Sequence, residues 1–165
     1  MSTTAKLYEV KIKLSSSWLG SQRTRENVRR FRRDANSNIA VDVAQWSWTF
    51  KQAAEALHMD GTLTDTIRPQ ANLMPPSLVL YRRNYTHNNK PQMEMFEAIR
   101  EGAVLTFNVV VTDSSMLNAS REIGNPPDLA RLKDIFQFSG AFLGLSPWGN
   151  QYGYGRFDLE SLKVI

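Results

Sequence analysis

Between Lys6 and Leu14 the chain alternates: Tyr8, Val10, Ile12 and Leu14 are apolar, and the charged Glu9, Lys11 and Lys13 stand between them. A period of two gathers the apolar set on one face of an extended segment, which predicts a half-buried strand over 6–14. "SSSWLGSQ" (15–22) reads as a turn-like link, "RTRENVRRFRR" (23–33) as a connecting loop, and "DANSN" (34–38) as turn and cap residues. From Val41 to His58 the period becomes helical, with Trp46, Phe50, Ala53, Ala54 and Leu57 at i, i+4, i+7, i+8 and i+11. Asp42 suits the N-cap and "MDG" (59–61) the end. Residues 62–77, with three prolines and little pattern, read as a long loop; "SLVLYRR" (77–83) reads as a strand and "YTHNNKPQ" (85–92) as a polar loop.

"MEMFEAIREGAVLTFNVVVT" (93–112) reads as a hairpin turning near "REG". Its second arm places Leu105, Phe107, Val109 and Val111 inward and Thr106, Asn108 and Thr112 outward. "DSSMLNASREIGNPP" (113–127) is a loop, after which Asp128 caps a second helix through about Leu143. Leu129, Leu132, Ile135, Phe136 and Phe142 form its buried face, and "YGRFDLESLKVI" closes the chain as a strand. The order strand, helix, hairpin, helix, strand fits an α+β, ferredoxin-like βαββαβ arrangement: one antiparallel sheet, two helices and no long insertion. At 165 residues, one domain over 1–165 is expected.

Apolar residues make up 42% of the chain and charged residues 22%, a globular composition. No apolar run approaches the length of a membrane span, so a membrane partner is not expected. "MSTTAKLYEV" lacks the basic and apolar regions of a secretory signal, and a cytoplasmic location is expected. The absence of cysteine excludes disulfides, thiolate catalysis and cysteine-ligated zinc. The net charge of +4 has one source: residues 23–33 hold six arginines against Glu26, so that segment carries +5 and the rest of the chain about −1.

Four glycines fall in "GLSPWGNQYGYG" (144–155) beside Trp148, Tyr152, Tyr154 and Arg156. "FSGAFLGLS" followed by "PWGNQYGYGRF" resembles the C-terminal glycine-rich motif of the RAMP proteins of CRISPR systems. "FEAIREGAVLTFNV" resembles the segment that precedes it in that superfamily, and the chain length resembles that of small uncharacterised phage proteins with the same ending. The resemblance implies a ferredoxin-like fold, RNA binding, and a glycine loop near the RNA backbone at Gly144, Gly149, Gly153, Gly155 and Arg156. It also implies a bacterial or phage-infected cell as the setting.

The residues support this on their own terms. Glycines permit positive φ and let backbone N–H groups approach a phosphate, though a tight crossover of strand and helix would need them equally. Arg23, Arg25, Arg29, Arg30, Arg32 and Arg33 form a dense phosphate-binding charge, with a solvated loop or an acidic protein partner as the alternatives. Trp18, Phe31, Trp148, Tyr152 and Tyr154 lie in or beside these segments, where rings stack on unpaired bases or pack in a core. Trp46, Trp48 and Phe50 are assigned to the core, Trp48 with a subunit contact as its other role. The resemblance also implies a metal-independent endoribonuclease as a rival, in which a histidine does general acid/base work; His58 and His87, the two histidines, are its candidates, but no motif surrounds either. No carboxylate cluster or Walker loop is present, so no metal or cofactor is expected.

These readings converge on a non-catalytic protein that binds single-stranded nucleic acid, RNA ahead of DNA. The binding surface joins the six arginines to Gly149, Tyr152, Gly153, Tyr154, Gly155 and Arg156. An endoribonuclease and a phage counter-defence protein gripping an acidic partner are the rival readings. A homo-oligomer and a larger complex both stay open.

Overall fold

The alternation of the first strand decides the architecture. The structure, a computed structural model, describes residues 6–59, 67–74, 77–112, 127–146 and 152–165, with the backbone alone for 127–129. In chain order the elements are β1 (Lys6–Leu14), β2 (Trp18–Leu19), β3 (Val28–Arg29), β4 (Ile39–Ala40), α1 (Val43–Ala56), β5 (Ile67–Pro69) and β6 (Asn72–Leu73). After them come β7 (Val79–His87), β8 (Lys90–Ile99), β9 (Val104–Val111), α2 (Pro127–Phe138) and β10 (Phe157–Val164).

β1 and β9 pair antiparallel with Tyr8 opposite Val109, Val10 opposite Phe107 and Ile12 opposite Leu105, so both alternating sets share one face. All six of those side chains are buried. β10 flanks β1 and β5 flanks β9, giving an antiparallel sheet of order β10-β1-β9-β5. The helices cover the apolar face. Asp42 caps α1 by accepting from the Gln45 N–H at 3.1 Å, and the helical stripe buries Trp46, Phe50, Ala53 and Ala54. Trp46 meets Phe107 edge-on at 5.1 Å, and Phe50 meets Phe136 of α2 at 5.1 Å. Trp48 points outward and is exposed rather than part of the core.

β8 organises a second, mixed sheet. β7 lies antiparallel along its whole length, while β2 (antiparallel) and β3 (parallel) share its other edge. β4 and β6 form a small two-stranded sheet. Among the described residues the fold is therefore mixed α+β with two α-helices, and it holds more strands and sheets than one ferredoxin-like unit.

Several expected elements change with it. The residues expected as a loop over 62–77 include β5 and β6, short strands whose proline and polar residues hide the period of two. The stretch 85–92 is a hairpin: Asn88 and Asn89, at φ 51° and 61°, form its two-residue turn and both strands run up to it. Consecutive left-handed residues are what a tight hairpin turn requires, and asparagine tolerates them. The chain does turn near Gly102, but β8 and β9 do not pair. β8 stays in the mixed sheet while β9 crosses to β1, so 70–103 is an insertion between β5 and β9.

The second helix also ends differently. After Phe138 it widens into a π-helical turn, Ser139–Leu143, closed by the Gly144 N–H donating to Ser139 O at 2.7 Å. The extra residue per turn rotates Phe142 off the buried face, where it is 58% exposed. Leu132, Ile135 and Phe136 are buried as expected. The side chains of Asp128 and Leu129, and most of the loop before them, lie outside the described residues.

Candidate nucleic-acid interface

The arginine segment is not a loose loop. Its residues Val28 and Arg29 are β3, laid parallel to Met95 and Phe96 of β8. Two glutamates of β8 draw it in. Glu97, only 7% exposed, accepts from the Phe31 N–H at 3.1 Å, from Arg33 at 3.1 Å and from Arg30 at 3.3 Å. Arg30 also pairs with Glu26 at 2.8 Å, and the Arg29 Nε donates to Glu94 at 2.7 Å. Half of the expected phosphate-binding set thus holds the segment onto the sheet. Arg23, Arg25 and Arg32 are exposed and have no ion-pair partner among the described residues. Trp18 and Phe31, expected as stacking candidates, are buried, with their rings packed edge-on at 5.0 Å.

At the glycine segment the backbone crosses itself. Leu145 N–H donates to Gly155 O at 2.9 Å, and Gly155 N–H donates to Ser17 O at 2.8 Å. A Cβ on Gly144 (φ 78°) would stand 2.6 Å from Tyr154 O, and one on Gly155 (φ 73°) 2.7 Å from Ser146 N. Both glycines are fixed by the crossing. Gly153 (φ 77°) differs: a Cβ there would meet nothing closer than the Arg156 Cζ at 3.9 Å. Arg156 anchors its own backbone, with its N–H donating to Ser16 Oγ at 2.9 Å. Trp148 and Gly149 lie outside the described residues.

Beyond the crossing, two tyrosines reach the mixed sheet. Tyr154 packs edge-on against Tyr81 at 5.6 Å, with the two hydroxyls 3.3 Å apart. Burial, with that hydroxyl contact behind it, pushes the Tyr154 phenol up to about 12. Tyr152 is 54% exposed and its ring lies 4.4 Å from the Arg83 guanidinium. Arg83, itself 9% exposed, has the Tyr85 ring on another side at 4.9 Å. Tyr85 in turn donates to Glu94 at 2.6 Å, the carboxylate that also receives Arg29. One continuous network, Arg29–Glu94–Tyr85–Arg83–Tyr152, therefore links the arginine segment to the glycine turn. Arg83, Tyr85 and Glu94 were not singled out from the sequence. The signal was there, since Tyr81, Arg83 and Tyr85 alternate along β7 opposite Phe96, Glu94 and Gln92 of β8.

Burial pushes the Glu94 carboxyl up, but the bonds from Tyr85 and Arg29 outweigh it and hold it below the ordinary glutamate value. A carboxyl lowered by folding stabilises the fold above its unfolded pKa of about 4.3, and that stabilisation disappears as pH falls through the folded value. Tyr85→Phe is accordingly expected to lower the melting temperature at neutral pH, with the gap to the parent closing in acid. Melting curves across the acid range check this; a gap that persists in acid would show that Tyr85 acts through packing alone.

Beside the network lies a groove of about 510 Å³, lined by Met93 and Met95 together with Arg23, Asn27 and Arg29. His58 follows the C-terminal end of α1 and His87 ends β7; both are exposed, and neither belongs to the network. Among the described residues no group of three histidines or carboxylates is placed to hold a metal ion. No helix there is long and apolar enough to cross a membrane.

No family model and no curated protein matches the sequence. Solved structures do match. One is a chain in the cryo-EM structure of the Type III-B Cmr-beta bound to cognate target RNA, with a TM-score of 0.59 and 13% identity. The match covers 98% of this chain but 61% of the other, so the protein spans less than two thirds of its neighbour's length. At that identity the likeness is one of fold alone.

Proposed function

We propose that the protein binds single-stranded nucleic acid, RNA ahead of DNA, without catalysing its cleavage, on the surface between the arginine segment and the glycine turn. In this reading the four-stranded sheet and its helices are a ferredoxin-like unit of RAMP type. The mixed sheet is the addition that carries the binding face, and the protein works within a protein–RNA assembly. The observation that carries the reading is the exposed Tyr152 ring set against Arg83. It offers a stacking surface joined through Glu94 to a segment whose remaining arginines face solvent. Rings and guanidinium planes hold unpaired bases while free cations follow the phosphates. The fold it shares with a chain of an RNA-bound complex supports the same choice.

The test is anisotropy of a labelled single-stranded RNA titrated at several salt concentrations in the presence of chelator. Replacing Arg23, Arg25 and Arg32 together by alanine is expected to flatten the logarithmic salt slope by about 2, at roughly 0.7 per lost contact. Tyr152→Ala is expected to weaken binding by about 1–3 kcal/mol with the slope preserved, because it removes stacking and no charge. Unchanged affinity and slope in both variants would move the surface elsewhere. The labelled RNA should stay intact throughout. Cleavage that disappears in His58→Ala or His87→Ala would establish the endoribonuclease instead.

A further inference from the structure

The mixed sheet ends on β7, which pairs with β8 in unbroken register from Val79 opposite Ala98 to His87 opposite Lys90. Gly20 N–H donates to Glu97 O at 2.8 Å, so the backbone groups of Glu97 point away from β7. In an antiparallel ladder, residues directly opposite each other turn their backbone groups inward together or outward together. Leu80, opposite Glu97, therefore points its N–H and C=O away from β8, and Arg82, Asn84 and Thr86 repeat this at every second residue. All four are exposed, and among the described residues no other segment hydrogen-bonds to their backbone. The far edge of the sheet is guarded. β2 and β3 pair with the inner end of β8, and Pro91 at its outer end has no N–H to offer. β7 has no such guard, since neither a proline nor a bulge interrupts it.

We propose that the open edge of β7 takes an antiparallel strand from a protein partner, an extended segment in which acidic residues alternate with β-branched ones. Such an addition draws affinity from main-chain hydrogen bonds and specificity from alternate side chains. Charge selects the occupant. β7 carries Arg82 and Arg83 and no acid, and Arg82 is exposed with no ion-pair partner among the described residues. A second copy of this chain fits badly: with the two β7 strands fully overlapped, Arg83 would stand opposite Arg83, and like charges so placed repel. An acid opposite Arg82 attracts instead. The other face of β7 presents Tyr81 and Tyr85, against which β-branched side chains pack well. The edge lies in the plane of the sheet, whereas the Tyr152 ring lies over Arg83. The inference thus goes beyond the RNA-binding reading and does not depend on it.

The probe is a labelled peptide of about nine residues, alternating glutamate and valine, titrated with the full chain while anisotropy is followed. Saturable binding is expected. With glutamate opposite Arg82, the glutamate N–H groups face β7 and the valine N–H groups face solvent. N-methylation of the glutamates should therefore weaken binding by at least about tenfold, and N-methylation of the valines by less than about twofold. A peptide of alternating lysine and valine should bind at least about tenfold more weakly than the glutamate peptide. On the protein, Asn84→Pro removes one donor from the open edge and none from the ladder with β8, and should weaken binding by about fivefold or more. Arg82→Glu should do the same through charge, and serves if the proline variant does not fold. No saturable binding, equal binding by the two methylated peptides, or unchanged affinity in the folded variants would overturn the proposal. The titration contains no RNA, so its outcome is independent of the reading above.

Discussion

Gly155→Ala is expected to destabilise the protein by about 2–5 kcal/mol, while Gly153→Ala costs about 1–2 kcal/mol, the price of a left-handed conformation alone. At Gly155 the same strain (φ 73°) is joined by a Cβ only 2.7 Å from Ser146 N. That obstacle is backbone held in a crossing and cannot swing aside, and overpacking of this kind typically adds about 1–3 kcal/mol. Urea midpoints of the two variants at equal slope measure the difference. Equal losses would mean that the crossing yields. The comparison also sorts the glycines by role. RNA binding that falls in step with folding in the Gly155 variant marks architecture, whereas a Gly153 variant that stays folded but binds weakly marks close approach of a ligand.

The second large effect is expected at Glu97. Its carboxylate is buried and gathers the Phe31 N–H, Arg30 and Arg33. Removing one partner of a buried pair typically costs about 3–5 kcal/mol, and because Arg30 and Arg33 stay partly in water the expectation for Glu97→Gln is nearer about 2–3 kcal/mol. Trypsin gives a local readout, since it cleaves after arginine and six of its sites lie within 23–33. Faster cleavage there, ahead of global unfolding, would show that Glu97 holds the segment on the sheet. Arg32→Ala is the contrast and should change stability by less than about 0.5 kcal/mol, as surface substitutions do. Parent-like cleavage in Glu97→Gln would show that β3 pairing suffices without the carboxylate.

The main sheet and α1 were legible because their burial is one-sided. β1, β9 and the helix each write their period into the sequence, and Asp42 supplies the cap. The mixed sheet was legible only in part, as strands at 77–83 and in the first arm of 93–112, and the rest was hidden for the opposite reason. The outer end of β8, "KPQM", is exposed and does not alternate, and β2 and β3, like β4 and β6 of the small sheet, are two residues each, too short for any period. Asn88–Asn89 was the overlooked local signal, a turn dipeptide between two runs that proved to be strands. The arginines misled in a different way. Their number was plain, but Glu94 and Glu97, more than sixty residues on, neutralise part of it, and nothing local to 23–33 reports them. The tyrosine pair was visible as two residues and divided only by packing: Tyr154 turns in against Tyr81, and Tyr152 stays out.

β1 lies between β9 and β10 in the sheet, with Tyr8 opposite both Val109 and Val164. β1, at 6–14, is therefore flanked on its second edge by a strand about 150 residues further along, β10 at 157–164. During synthesis, one edge of β1 waits for β9 at 104–111 and the other for β10 at 157–164. Such distant pairings slow folding, because the intervening chain must be ordered before the contacts reward it. The charged alternates Glu9, Lys11 and Lys13 then take on a second purpose as guards against premature association of that strand with its copies on neighbouring nascent chains.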